Sequence, residues 1–470
     1  MSGPLPIFST TLRQRTRTQV GDERLRASLA NATDLFAARK DVAYGQFRDA
    51  DGVRAAARAA KRDVLSRLPE VLEQLAERLQ RNGVEVHWAR TDAEARRHVS
   101  TILAGHGATK VVKSKSMLSE EIGLNHHLEE RGVLVTETDL GEWIIQVAGE
   151  APSHIIVPAV HMDRRQIRDT LQRVSTGDLT DVPEELAAFA RRSLRQRFLE
   201  ADAGISGVNF GIAETGSLLL VTNEGNGRLT TSVPPLHIAL LGMERVVETW
   251  AQLDLMLALL PRAATGQAIT SYVSTLTGPR RAGERDGPDA LHVVIVDNGR
   301  SDILGTEYTE MLACIRCGAC LNACPVYRQV GGHAYGWVYP GPMGAVLTPL
   351  LLRDDHAAEV PNASSLCGAC WEACPVGIPL QDMLLSLRRE AAGDAGTAEQ
   401  LAWASWAKTW SRPWTYRTSL KLASMGSRMV GDVARIPGPP QRWAATREAP
   451  SLARRSFRDL WQRGIDDVAR

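Results

Sequence analysis

The cysteines constrain this 470-residue chain more than any other feature: all seven lie between positions 314 and 374. They form two runs, Cys314-x2-Cys317-x2-Cys320-x3-Cys324-Pro325 and Cys367-x2-Cys370-x3-Cys374-Pro375. Two-residue spacing lets one loop present three thiolates to one face of a cubane. In bacterial two-cluster ferredoxins the fourth cysteine, followed by proline, ligates the other cluster. By that rule Cys314, Cys317, Cys320 and Cys374 hold one [4Fe-4S] cluster, and Cys324, Cys367 and Cys370 hold a second. Structural zinc is the competing use of clustered cysteines, but zinc favours paired knuckles of four ligands. Four cysteines crowded into eleven residues, with proline after the last of each run, fit the iron–sulfur pattern instead.

A complete second motif has cysteine at position 364, where this chain has Ser364. Three thiolates leave two alternatives: a [3Fe-4S] cluster, or a [4Fe-4S] cluster whose last iron takes Ser364, water or a group from a partner. The gap from Cys324 to Cys367 is long for a compact β-ferredoxin and implies a helical ferredoxin-type domain. His333, inside that gap, is either an extra ligand or proton relay, or a hydrogen-bonded loop histidine.

Bulk properties narrow the setting. A formal net charge of +1 gives no global field for nucleic acid. No apolar run reaches 18 residues, and the N-terminus has no basic segment leading into an apolar one. The expectation is a cytoplasmic protein, where reduced thiols serve metals rather than disulfides.

The chain divides by pattern. Residues 1–65 are rich in Arg and Ala, with amphipathic helical periodicity over 22–40 and 50–67. Over 66–300, helical stretches such as 68–82 and 93–103 alternate with short β-branched runs. The runs at 84–87, 110–112, 132–136, 154–157, 217–221 and 292–296 predict an α/β domain with a largely parallel sheet. Residues 301–395 hold the cysteines. The extension 396–470 carries Trp403, Trp406, Trp410 and Trp414 at helical spacing, then Pro437, Pro439 and Pro440, then a basic helical end. Those tryptophans read first as a packed face, with partner docking or peripheral membrane contact as the other uses.

No phosphate-binding loop, dinucleotide fingerprint or H-E-x-x-H motif is present. Iron–sulfur clusters pass single electrons, so a two-electron oxidation needs another centre, placed on another chain.

Several segments resemble the lactate utilization protein B family: 314–326, Gly331-Gly332-His333, Tyr335-Gly336-Trp337, the run 339–344, and Ser365-Leu366-Cys367-Gly368-Ala369-Cys370. In the α/β region the resembling segments are Lys113-Ser114-Lys115-Ser116-Met117, the run 137–142, Ala213-Glu214-Thr215-Gly216-Ser217 and Thr231-Ser232-Val233-Pro234-Pro235. The resemblance implies a role in oxidising L-lactate to pyruvate for growth on lactate. It implies two partners, a cysteine-rich subunit and a second lactate-utilization-domain subunit. It further implies two [4Fe-4S] clusters on the ligands assigned above, with the three-cysteine set as the family's own pattern. It also implies an α/β fold similar to the sugar-phosphate isomerase and CoA-transferase group, which does not transfer chemistry.

Candidate α/β site residues cluster at the ends of predicted strands: Lys115, Ser116 and Glu120 follow one, Glu137, Asp139 and Glu142 follow another, and Glu214, Thr215 and Gly216 precede a third. Parallel sheets bind ligands at the carboxyl ends of their strands. Lys115 is the candidate cation for a carboxylate substrate, with Glu214, His154 and His161 as candidate bases. Three functions compete with an electron-transfer subunit: a self-sufficient enzyme using the α/β domain and an open iron, an iron–sulfur carrier for another dehydrogenase, and a zinc-stabilised interaction protein.

Overall fold

The computed structural model describes residues 10–352, 354–393 and 397–430, with isolated positions beyond. Pro439, Pro440 and most of the basic C-terminal end lie outside the described residues. The chain up to Arg389 forms one compact unit, and Glu390–Arg470 a second.

Among the described residues ten strands, β1 to β10, follow in chain order. Six build the main sheet: β1 (Glu85–Ala89), β2 (Lys110–Lys113), β3 (Leu134–Glu137), β4 (Ala203–Gly207), β7 (Leu236–Gly242) and β10 (Ala290–Val296). Their order is β1-β10-β7-β4-β2-β3, and every pair is parallel. β7 and β10 are apolar but for one histidine each, His237 and His292, and are buried almost throughout, as strands covered on both faces must be. The chain moves outward from β2 to β3, then returns to place β4 on the other side of β2. A topological switch point therefore lies between β2 and β4. A second sheet, ordered β8-β5-β6-β9, is formed by β5 (Phe210–Ile212), β6 (Ser217–Thr222), β8 (Val246–Val247) and β9 (Tyr272–Leu276).

Five of the six strand runs expected from sequence are strands. Segment 154–157 is not. Both Ile156 N–H (3.0 Å) and Val157 N–H (3.2 Å) donate to His154 Nδ1, taking the donors a ladder needs. Pro152 and Pro158 flank the segment.

Beyond β10 the described residues contain no strand. Short helices alternate with loops, including Ala319–Ala323, Tyr327–Val330, Gly341–Leu352 and Ala369–Ala373. This helical domain and the α/β domain share one apolar core that runs from Phe210 and Leu241 to Leu321 and Val346. The N-terminal helices Glu23–Tyr44 and Ala50–Ser66 pack across both, contributing Leu25, Leu29, Ala57 and Val64 to that core.

In the second unit, helices Thr397–Trp410 and Pro413–Val430 pack on each other. Trp403, Trp406, Trp410 and Trp414 are exposed rather than a packed core. A two-helix hairpin has too little volume to enclose four indoles. The rings meet one another instead, Trp403 and Trp406 edge-on with centroids 5.8 Å apart, Trp406 and Trp410 tilted at 5.3 Å. Among the described residues no helix is long and apolar enough to cross a membrane.

Candidate iron–sulfur centre

The two cysteine runs fold into matching loops. Arg316 (φ 58°) and Leu366 (φ 56°) are both left-handed, and each precedes a cysteine followed by a left-handed glycine, Gly318 (φ 76°) or Gly368 (φ 84°). Each loop then enters a five-residue helix ending at the Cys-Pro step. Left-handed backbone is costly for Arg and Leu, and the same cost recurs at the same place in both loops. It belongs to the turn that carries the thiols.

Backbone N–H groups point at sulfur. Arg316 N–H donates to Cys314 Sγ, Tyr327 N–H to Cys324 Sγ and Ile378 N–H to Cys374 Sγ, each at 3.4 Å. In the second loop Leu366 N–H donates to Ser364 Oγ at 3.1 Å. The Ser364 hydroxyl thus holds the place in its loop that the Cys314 thiol holds in the first.

Cys314, Cys317, Cys320 and Cys374 line one small apolar hollow, walled by Ile155, Met311 and Met343. Burial, and then the nearby Cys374 sulfur, push the Cys317 thiol up to about 12. Burial, and then Cys314 and Cys317, also raise Cys320 well above the ordinary thiol range. Burial and the Cys324 sulfur raise Cys370 to about 12, and Cys367 adds to it. Buried sulfurs that repel one another while accepting N–H bonds are poorly placed as free thiols. A cationic centre that takes them as thiolates resolves the conflict, so the residues present fit an iron–sulfur group.

The surroundings clamp both loops. Lys40 Nζ donates to Ala373 O (3.0 Å), and Arg54 Nη2 to Cys374 O (2.8 Å) and Glu372 O (3.0 Å). Arg388 donates to Ser364 O (2.6 Å) and Pro361 O (3.0 Å). Arg245, just beyond β7, donates to Cys314 O at 2.8 Å. His154 lies under the first loop, where a Cβ on Gly318 would stand 3.0 Å from its Cε1.

A cavity of about 560 Å³ opens at the carboxyl ends of β2, β4 and β7, the switch point of the main sheet. Lys115, Asp139, Glu224 and Glu244 line it, as do Arg245, Arg300, Arg316 and Tyr339. Arg316 comes from inside the first cysteine run. Its guanidinium lies 4.3 Å from the Tyr339 ring centroid and 3.3 Å from Glu244. Glu244 also faces Arg300 at 2.7 Å. Burial opposes its charge, but Arg300, Arg316 and Arg245 hold its carboxyl down at about 2.

The sequence candidates do not gather in one place. Lys115 lines the cavity, its Nζ donating to Ile156 O at 2.5 Å and lying 3.8 Å from Asp139. Glu120, Glu137 and Glu142 gather instead around buried Lys113, whose Nζ is 2.7 Å from Glu137 and 2.9 Å from Glu120. Ser116 caps the helix that follows β2. Glu214 is away from the cavity at the β5–β6 turn, where its carboxylate accepts from Trp250 N–H at 3.0 Å. His154 is buried, held to about 4 by burial, and neutral. Its Nδ1 accepts two backbone N–H bonds and its Nε2 faces Asn322 Oδ1 at 3.2 Å, so neither nitrogen is available as a base. His161 pairs with Glu150 (2.8 Å), and its ring meets His333 edge-on at 4.7 Å; His333 Nε2 donates to Ala151 O at 2.7 Å.

Residues 72–296 match the LUD domain, 310–378 a 4Fe-4S dicluster domain, and 387–464 the C-terminal domain of lactate utilisation protein B. A lactate utilization protein B from Bacillus velezensis is 44% identical over 97% of this chain and 98% of its own length. The chain belongs to the lactate utilization protein B family. Family members from Oceanobacillus iheyensis (49% identity, 84% of each chain) and Bacillus subtilis (43%, covering 97% of this chain and 96% of the relative) agree. A crystal structure of a DUF162 family protein from Deinococcus radiodurans matches 49% of this chain and 98% of its own at 17% identity, with a TM-score of 0.29. In this family member Lys40 and Arg54 on the N-terminal helices, with Arg245, Arg300 and Glu244, were not marked by any motif. Arg316 carried a readable signal, its place between Cys314 and Cys317.

Proposed function

We propose that this protein is the iron–sulfur electron-transfer subunit of a complex that oxidises L-lactate to pyruvate. Membership of the lactate utilization protein B family supports the pathway, and the 4Fe-4S dicluster match supports the chemistry. The observation that carries the reading is the gathering of Cys374 with Cys314, Cys317 and Cys320 around one hollow, because a thiol brought from the second run is the mark of a two-cluster relay. Cys324, Cys367 and Cys370 form the second set, with Ser364 Oγ as its fourth ligand. When bound, each cluster supplies one-electron storage.

The protein's own residues position and tune these groups. Arg245, Arg54 and Lys40 hold the loop carbonyls. The backbone N–H bonds to sulfur stabilise thiolate charge. Ile155, Met311 and Met343 keep water from the first set. The two-electron step belongs to a partner, and the partners are a cysteine-rich lactate-utilization subunit and a second lactate-utilization-domain subunit. We place the complex in the cytoplasm.

Deletion of the gene tests the physiological role. Growth on L-lactate is expected to stop, and to return with the wild-type chain but not with Cys374→Ser. Undiminished growth on L-lactate would point to an iron–sulfur carrier serving another dehydrogenase.

A further inference from the structure

The cavity at the switch point is unused by the electron-relay reading. It lies where open parallel sheets bind ligands, and about 560 Å³ is the size of a small-molecule or cofactor site. One end is cationic. Arg245, Arg300 and Arg316 converge there against the carboxylates of Glu121 and Glu244, and Glu121 is already engaged by Arg300, Asn298 and Tyr339. Arg316 Nη1 is buried with no hydrogen-bond partner, a donor placed without an acceptor. Ile144, Val157 and Leu220 give the same cavity an aliphatic stretch of wall, beside the polar Lys115, Asp139 and Glu224.

We propose that this cavity binds an organic anion, its carboxylate or phosphate on Arg316 and Arg245 and its body along Ile144, Val157 and Leu220. Two sources share that chemistry: the short hydroxy or oxo acid being turned over, and a larger phosphate-bearing redox carrier. Both arginines also touch the first cysteine loop, Arg245 through Cys314 O and Arg316 as the residue before Cys317. Occupancy is therefore felt at the cluster that Cys314 holds. The binding claim is independent of the electron-transfer reading, which enters only through the spectroscopic readout.

The test is anaerobic calorimetry on the full chain with clusters intact, using L-lactate, pyruvate and flavin mononucleotide as separate probes. Binding of either acid identifies the reactant as the source, and binding of the flavin identifies the carrier. In both cases Arg316→Met and Val157→Trp, with iron content preserved, are expected to weaken binding about tenfold or more. The ligand is also expected to shift the electron paramagnetic resonance signal of the first cluster. No binding by any probe, or binding unchanged in both variants, overturns the proposal. A chain that binds a probe but takes no electrons from the complex would fail the relay reading while upholding this one.

Discussion

Arg300 and Glu121 form a two-pronged buried ion pair, Nη1 to Oε1 and Nη2 to Oε2, both at 2.8 Å. The pair ties the segment after β10 to the helix after β2 and closes the cavity's cationic end. Burial works against Glu121, yet Arg300 keeps its carboxyl below the ordinary range, helped by Tyr339 and Asn298. Glu121→Ala leaves the guanidinium with the Glu244 carboxylate and Asp297 O, and is expected to cost about 3–5 kcal/mol. Glu121→Gln, which keeps hydrogen-bonding capacity, should cost less. Thermal or urea unfolding checks this, and a Glu121→Ala variant as stable as wild type would show that the charge escapes to solvent.

Ser364 offers a spectroscopic prediction. Its hydroxyl accepts from Leu366 N–H as the Cys314 thiol accepts from Arg316 N–H. Ser364→Ala is expected to lose iron from the second set and show a [3Fe-4S] signal on oxidation. Ser364→Cys should retain the full iron content. Identical iron content and spectra in wild type and Ser364→Ala would remove Ser364 from the ligand set.

The paired glycines separate backbone strain from steric conflict. At Gly368 an added Cβ meets nothing within 4 Å, so Gly368→Ala carries only the cost of φ 84°, about 1 kcal/mol or somewhat more. At Gly318 the added Cβ also meets His154 Cε1 at 3.0 Å and Ile156 Cγ1 at 3.2 Å. Gly318→Ala should destabilise by about 1 kcal/mol beyond Gly368→Ala and release iron faster. Equal losses in the two variants would mean that the His154 shelf yields freely.

His237 predicts a pH dependence. It lies buried in β7, with Nε2 2.8 Å from Ser206 Oγ, and burial lowers its pKa to about 3. Unfolding restores a value near 6.5, so between those limits the unfolded chain binds a proton that the folded chain does not. Stability contributed by the neutral ring is full above about pH 6.5 and falls as pH drops, by roughly 1.4 kcal/mol per unit. Denaturant titrations at pH 7 and pH 5 should show this slope, and His237→Gln should flatten it. An unchanged slope in the variant would assign the effect to other groups, His154 first.

What the sequence disclosed depended on how local the cause was. Cysteine spacing is set by the geometry of metal ligation, so both loops were readable without a fold. Strands β1, β2, β3, β6 and β10 were visible because β-branched residues mark them. β4 was not: Ala203–Gly207 contains two glycines and a serine, and pairing with β2 and β7 makes it a strand. Gly204 is needed there because a Cβ would fall 1.9 Å from Thr230 O. The arginine–carboxylate lattice was hidden for a similar reason. Glu121, Glu244, Arg300 and Arg316 meet only once the sheet has formed, and none sits at a helix spacing that would announce a partner.

Passage of electrons from L-lactate to the clusters of this chain, through a complex, is the proposed function. It is tested most directly by electron paramagnetic resonance on the anaerobically assembled complex of this protein with both partner subunits. Addition of L-lactate is predicted to produce the signals of reduced clusters on this chain, and Cys374→Ser should alter the signal of the set containing Cys314. Clusters that dithionite reduces but L-lactate leaves untouched in that complex would contradict the account.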